Sequence, residues 1–283
     1  MEVNEVRKRR SAILRTLTIP PASAASEQLL ELVMDDDVDL ASLAQAIQSE
    51  PGITARIVSI ANSAFFSSPA TIHTVEQAIV KVLGLQTVRS LCMGILMGPR
   101  FNTKACPEFS LKDYWCRALA VAQCSALMAR QMEGVDRNSA YLAGLLHSIG
   151  QLLQVHHFPK DMNHLLPKFK SLDVQGQLNL EREALGLDCC EAGGWLAKRW
   201  HLPDETSFAI SNFQDQDYQG DYWQVARIVG FVSRFLQAQD EFEEPSFAKV
   251  FNVDPLEVQR IQGSFSDIAS SVNVLAEFLI QDE

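Results

Sequence analysis

The chain has 283 residues, 47% hydrophobic and 21% charged, enough for one large or two ordinary domains around a substantial core. Its 24 basic and 35 acidic residues leave a net charge of −11, and the stretch from Asp221 onward, with four basic and eleven acidic residues, carries −7 of it. That balance argues against nucleic acid or an anionic membrane as the main partner, and no uncharged apolar run reaches the ~18 residues of a membrane span.

Nothing at the start of the chain resembles a charged n-region followed by an apolar h-region. The basic run Arg7-Lys8-Arg9-Arg10 is the exception to the acidic balance, and it reads as a solvated stretch of a first helix. Six cysteines are scattered at 92, 106, 116, 124, 189 and 190 without a CxxC pair. In a chain of this length they are expected to be reduced thiols, which points to the cytoplasm.

In chain order, the pattern predicts helices almost throughout. Val3 to Leu17 is a first helix stopped by Pro20-Pro21, and a second runs from about Ser23 to Met34 into an acidic turn, Asp35-Asp36-Asp37. Asp39 caps a third, with Leu40, Leu43, Ala44 and Ile47 on one face. Pro51 opens a fourth, where its missing N–H costs nothing. Ser67-Ser68-Pro69 breaks the chain, and Thr74-Val-Glu-Gln77 reads as a capping box for a helix ending at Gly84, followed by Gln86 to Met97. Pro99 to Pro107 is the candidate boundary, too short and too apolar for a flexible linker. Ser110 caps a long helix to about Met132. Shorter helices follow at 160–170, 176–185, 188–201, 204–213 and 221–238, and a long final helix runs from about Pro255 to Gln281. No alternating strand pattern and no internal repeat is evident.

The stretch Ser139 to Pro159 stands apart because it holds no Asp, Glu, Lys or Arg in 21 residues. With Asp136 as N-cap it reads as one buried central helix. Its greasy face carries Leu142, Leu145, Leu146, Ile149, Leu152 and Leu153, and its small face Ala140, Ala143, Gly144, His147 and Gly150. Glycine costs ~1 kcal/mol against alanine within a helix, so Gly144 points to close packing. His147 projects from the small face. On this pattern alone it is a core histidine with a hydrogen-bond partner.

Several segments together resemble the HDOD family, an enzyme-derived branch of the HD phosphohydrolase superfamily. The first half matches through Ile19-Pro-Pro21, Asp39 to Ala44, Glu50-Pro-Gly-Ile-Thr-Ala-Arg56, Ile60 to Phe66, and Ile72 to Gly84. The second matches through Tyr114-Trp115, Ala140 to Gly150, Gly193-Trp195-Leu196 and Trp200-Leu202-Pro203. The resemblance implies an all-α fold: an N-terminal helical part over residues 1–106, a degenerate HD-type helical bundle over 107–213, and a C-terminal helical extension over 214–283.

In active HD enzymes, histidines and carboxylates hold divalent metal that generates hydroxide for attack on a phosphoester. By the resemblance, the His-Asp doublet is here His147-Ser148, with a neutral serine in place of the carboxylate. The early histidine position falls on Arg117, a later one on Cys189, a His-His pair on Asn212-Phe213, and the late aspartate on Ser233. One metal ligand of about five survives, too few to retain a metal, so neither a metal nor another cofactor is expected. His156 and His157 read as a solvated helix end.

The expected function is therefore a non-catalytic signalling or regulatory module that contacts a protein partner. The alternatives are a residual metal-dependent phosphohydrolase and a sensor for a small anion or nucleotide in the vacated pocket formed by Arg117, His147, Ser148, Cys189 and Asn212. Arg117 lies on a stripe with Val121, Cys124 and Met128. It is expected to be at least partly buried and paired with Glu183 or Glu191, or else with an anion.

Overall fold

Short polar residues mark where helices begin in the computed structural model, which describes residues 13–19, 23–35, 37–63, 66, 71–238 and 246–280. Ser23, Asp39, Thr74, Ser110 and Asp136 each accept a backbone N–H from the first turn that follows, satisfying donors with no partner inside the helix. The N-terminal helices are α1 (Ala24–Met34), α2 (Leu40–Gln48), α3 (Pro51–Ala61), α4 (Val75–Ala78) and α5 (Leu85–Met97), with a π-helical turn at Ile79–Leu83. Gln77 does reach back, but onto the backbone N–H of His73 rather than of Thr74. Residues 13–16 are helical. The rest of the expected first helix, the basic run, Pro20-Pro21 and Ser67 to Pro69 lie outside the described residues.

The second half is built on α6 (Leu111–Ala129), which packs against α7 (Arg137–Leu146). Further round the bundle are α8 (Ile149–His157), α9 (Pro159–Phe169), α10 (Val174–Leu185), α11 (Cys189–Arg199) and α12 (Asp204–Asn212). The last part comprises α13 (Trp223–Ala238), α14 (Ser246–Phe251), α15 (Pro255–Gln262), α16 (Phe265–Ser271) and α17 (Asn273–Ile280). Among the described residues there is no strand.

Two expected helices are broken. Ser139 to Pro159 is not one helix, because the ladder stops at Leu146 and restarts at Ile149, leaving His147 and Ser148 in a turn. The long final helix is three, divided at Gly263-Ser264 and at Val272, where the chain turns to lay separate apolar faces on α6. Helix α14 was not anticipated.

The close packing expected at Gly144 is present: a Cβ there would lie 2.8 Å from the Cα of Ala122 on α6. Trp115, fully buried, fills the space between α6 and α5, where a Cβ on Gly98 would meet its ring at 2.6 Å. The segment from Pro99 to Pro107 is pinned by buried Phe101 and Cys106. All six cysteines are free thiols.

Candidate functional site

The break between α7 and α8 puts His147 and Ser148 at a bend, facing the second turn of α6. His147 is 2% exposed, and its Nδ1 lies 2.7 Å from the carbonyl oxygen of Gly144. A carbonyl can only accept, so Nδ1 carries the hydrogen and Nε2 is left as the acceptor. Phe213, just after α12, meets the ring edge-on with centroids 5.1 Å apart. Burial lowers the His147 pKa to about 4; the Gly144 carbonyl opposes this and the charge of Arg117 adds to it. His147 is thus a neutral, buried imidazole at physiological pH.

Arg117 contradicts the expectation of burial. It is exposed, although Val121, Cys124 and Met128 along its stripe are fully buried. Nor do Glu183 and Glu191 act on it. Crowding by surrounding protein lowers its pKa, and the charges that oppose this are Asp113 and Tyr114 of its own helix.

Sequence reasoning singled out Tyr114 only as part of a motif, but it belongs to this group. It is 4% exposed, and its hydroxyl makes no hydrogen bond of good geometry with a described residue; the same holds for the Ser148 hydroxyl. The two hydroxyls are close enough for Ser148 to act on the phenol, as does Arg117, while burial pushes that phenol well above its ordinary range. Its position one turn before Arg117 is the signal that could have found it.

Cys189 and Asn212 have partners of their own. Cys189 begins α11, and its backbone N–H donates to Glu181 Oε2 at 2.6 Å. Its thiol is held well above the ordinary range by the hydrogen bond to Cys190 and by burial. Asn212 donates its amide to the carbonyl of Phe208 in its own helix, at 2.8 Å. Ser233 is buried on α13. His156 and His157 are not simply a solvated end. Both are half-buried; the Asn102 N–H donates to His156 Nδ1 at 3.0 Å, and His157 Nε2 lies 3.0 Å from the carbonyl oxygen of Thr18.

Behind Cys189 lies a polar cluster that the sequence did not reveal. Glu181 is 2% exposed, and burial pushes its pKa up to about 7 against the hydrogen bonds from Cys189 and Gln154; the Asp188 charge raises it further. Asp188 is fully buried and caps α11 in a box with Glu191, and the Arg182 guanidinium sits 2.5 Å from its carboxylate. Burial also raises the pKa of Asp188, with Arg182 opposing.

The metal that a resemblance to HD enzymes implies does not fit these residues. At the bend, the one imidazole lies within the field of a guanidinium and beside neutral hydroxyls, a donor set that offers a divalent ion no carboxylate. Among the described residues, no three or more His, Cys, Asp or Glu are grouped so as to hold a metal ion. No helix among them is long and apolar enough to cross a membrane.

The family model of the HDOD domain matches residues 19–216. A proposed signal transduction protein of Marinobacter aquaeolei VT8 superposes with a TM-score of 0.81 at 22% identity, over 98% of this chain and 66% of that one. A proposed phosphohydrolase of Shewanella amazonensis SB2B gives 0.73 at 21% identity, over 96% of each chain. An uncharacterized protein of Treponema pallidum (strain Nichols) is 20% identical over 236 residues, 80% of this chain and 44% of its own length. The chain therefore spans less than half of that relative and about two thirds of the Marinobacter protein. Identities this low carry the fold and nothing finer. The family match covers well over half of the chain and the helical architecture agrees with it: the chain belongs to the HDOD domain family.

Proposed function

We propose that this protein is a non-catalytic signalling or regulatory module that works by contact with a protein partner, on a fold whose metal-phosphohydrolase site has been lost. One observation supports this above the others. The positive charge of Arg117, which by the resemblance takes the place of a metal-binding histidine, acts on the buried imidazole of His147. A hydrolase of this class needs a divalent cation at that point to make hydroxide near neutral pH. A guanidinium whose charge reaches His147 opposes such a cation, and Ser148 supplies no counter-charge. Its place of action is proposed to be the cytoplasm, with neither nucleic acid nor membrane as main partner, in keeping with its acidic balance.

The test is elemental analysis of the purified full chain, with phosphomonoesterase and phosphodiesterase assays in added manganese, magnesium and iron. The expected result is metal far below one per chain and no turnover. Near-stoichiometric metal, with turnover abolished in His147→Ala, overturns the proposal.

A second reading is favoured by the buried Tyr114 and Ser148 hydroxyls, which make no hydrogen bond of good geometry with a described residue, and by the charge of Arg117, which acts on Tyr114. Two donors and a guanidinium suit a small oxyanion. On this reading, inorganic phosphate raises the melting temperature, by an amount equivalent to about 2.7 kcal/mol at a hundredfold excess over its dissociation constant. Arg117→Met removes the shift while leaving the unliganded stability intact. No shift with phosphate ends this reading.

A further inference from the structure

A groove of about 450 Å³ opens where the N-terminal helices meet the bundle, and none of the residues around His147 line it. Its floor is Val33, Ser90, Met93 and Thr206, all buried, with Met34 and Leu142 half-buried on the walls. Methionine thioethers are flexible and polarizable, so such a surface adapts to apolar side chains of differing shape. The rim is acidic. Asp136 and Glu205 line it directly, Asp35 and Asp37 follow Met34 in the chain, and Asp204 precedes Glu205.

Two arginines lie close by. Arg89 is buried in the lining, and its guanidinium donates to the carbonyls of Asp35 and Val38, which holds the turn between α1 and α2. Arg137, exposed beside a small adjoining recess with Gln86 and Tyr141, lies within the field of Asp136 and of Arg130. The acidic character of the rim is therefore carried mainly at its other end, by Glu205 and Asp204 and by Asp35 and Asp37. The solvent-facing charge around the groove is therefore predominantly negative. Asp136 already accepts from the N–H of Ser139, but a capped carboxylate keeps its charge.

We propose that this groove is the docking site for a segment of the partner protein that places an apolar side chain on the methionine floor and lysine or arginine on the acidic rim. The proposal rests on the reading that the protein works by protein contact, and it adds the surface and the chemistry of the occupant. The groove is open to solvent, mixed in polarity and walled by four helices, as suits an amphipathic helix or an extended segment. Its walls come from both halves of the chain, α1 and α5 on one side and α7 and α12 on the other. A bound segment would bridge them at the start of the helix that leads to His147.

The experiment uses the full-length protein and a fluorescent amphipathic peptide of leucine and lysine, about four helical turns long. A leucine–glutamate peptide of the same pattern is the control. Binding is followed by anisotropy at physiological ionic strength, where general charge attraction is screened beyond about 8 Å. The leucine–lysine peptide is expected to bind and the control not to bind. Leu142→Arg, which places a cation on the groove wall, should weaken binding about tenfold or more, equivalent to about 1.4 kcal/mol. Glu205→Lys should weaken it severalfold, and Glu76→Lys, a charge change of the same size at an exposed position of α4, should leave it within about twofold. Circular dichroism and melting temperature establish that each variant is folded, and Glu205→Lys, at a half-buried rim position, serves if Leu142→Arg is not. Absence of binding by the leucine–lysine peptide, or equal losses in Glu205→Lys and Glu76→Lys, overturns the proposal. Either outcome leaves the protein-contact reading standing, because that reading fails on the separate demonstration of metal and turnover.

Discussion

At Gly150, α8 and α11 approach so closely that a Cβ would overlap the carbonyl of Cys189, and Gly193 on the opposing helix is also tight, with Ile210 2.7 Å from its own would-be Cβ. Backbone obstructs the first site, and backbone does not yield as a side chain does. Gly150→Ala should therefore destabilise by at least the 1–3 kcal/mol typical of overpacking, read as a lower urea midpoint. A midpoint equal to that of the parent would mean that α11 moves away without cost. Close packing was legible at Gly144, since a helix carries glycine at a penalty, and was not drawn from Gly150 or Gly193. The fate of Arg117 was not, because a periodic stripe locates the Cβ and leaves open where a long guanidinium ends. Tyr114 gives a second test at this scale. A buried hydroxyl without a partner costs about 1–3 kcal/mol, so Tyr114→Phe in phosphate-free buffer should leave stability unchanged or raise it. A loss above about 1 kcal/mol would show that water or an ion satisfies the hydroxyl in solution.

Caps fix where elements begin, and this much was readable: the side chains of Ser23, Asp39, Thr74, Ser110 and Asp136 all bond the first turn of their helices. Where elements end was less readable. The bend at His147-Ser148 contains neither proline nor glycine, and the apolar period runs across it unbroken. The division of the last helix did carry a signal at Gly263, which the surrounding periodicity masked. The polar cluster around Glu181 was invisible for another reason. Glu181, Arg182, Asp188 and Glu191 lie within eleven residues, but a helical period gives no sign that carboxylates such as Glu181 and Asp188 are buried, and Gln154 joins them from far back in the chain. Buried titratable groups on two elements lead to a prediction about pH. His147 titrates near 6.5 when unfolded and about 4 when folded, so unfolding takes up a proton between those values and stability rises with pH there. Glu181 titrates near 4.5 unfolded and about 7 folded, so unfolding releases a proton and stability falls with pH. Asp188, also raised and facing Glu181, acts in the same sense, with Arg182 moderating it. From pH 4.5 to 6.5 the two principal slopes oppose, each at most about 1.4 kcal/mol per pH unit. Urea midpoints of the parent should change little between pH 5 and pH 6.5. Glu181→Gln should become more stable with rising pH over that window, and His147→Asn less stable. Identical slopes in the two variants would refute this account of the cluster.

Among the described residues two apolar clusters meet at α6. One joins Ile57 and Ile60 of α3, Trp115 of α6, Leu145 of α7, and Leu275 and Leu279 of α17. The other joins Val121, Cys124 and Met128 of α6 to Phe213, to Ile228 and Phe231 of α13, and to Phe265 of α16. The family match ends at residue 216, yet α17 packs on both α6 and α3, joining the start of the chain to the bundle. On the surface, the Lys112–Glu277 pair at 2.9 Å adds little, because both side chains are more than half exposed. The apolar contacts carry the attachment. The connection between the halves is fastened as well. Phe101 and Cys106 are buried, and the N–H groups of Asn102 and Glu108 donate to His156 and Asn163, each at 3.0 Å. We therefore expect the 1–106, 107–213 and 214–283 segments to unfold together, in one calorimetric peak that coincides with the loss of tryptophan fluorescence and of helical circular dichroism. Leu275→Ala, at a position 1% exposed, should lower stability by about 2–5 kcal/mol and shift every probe alike, although it lies outside the family match. A chain ended after residue 216 would leave the outer face of α6 bare and should lose the cooperative transition. Two well-separated peaks, or limited proteolysis within 99–107 that releases stable halves, would show instead that the segments are independent, and a loss confined to one peak in Leu275→Ala would assign α17 to one of them alone.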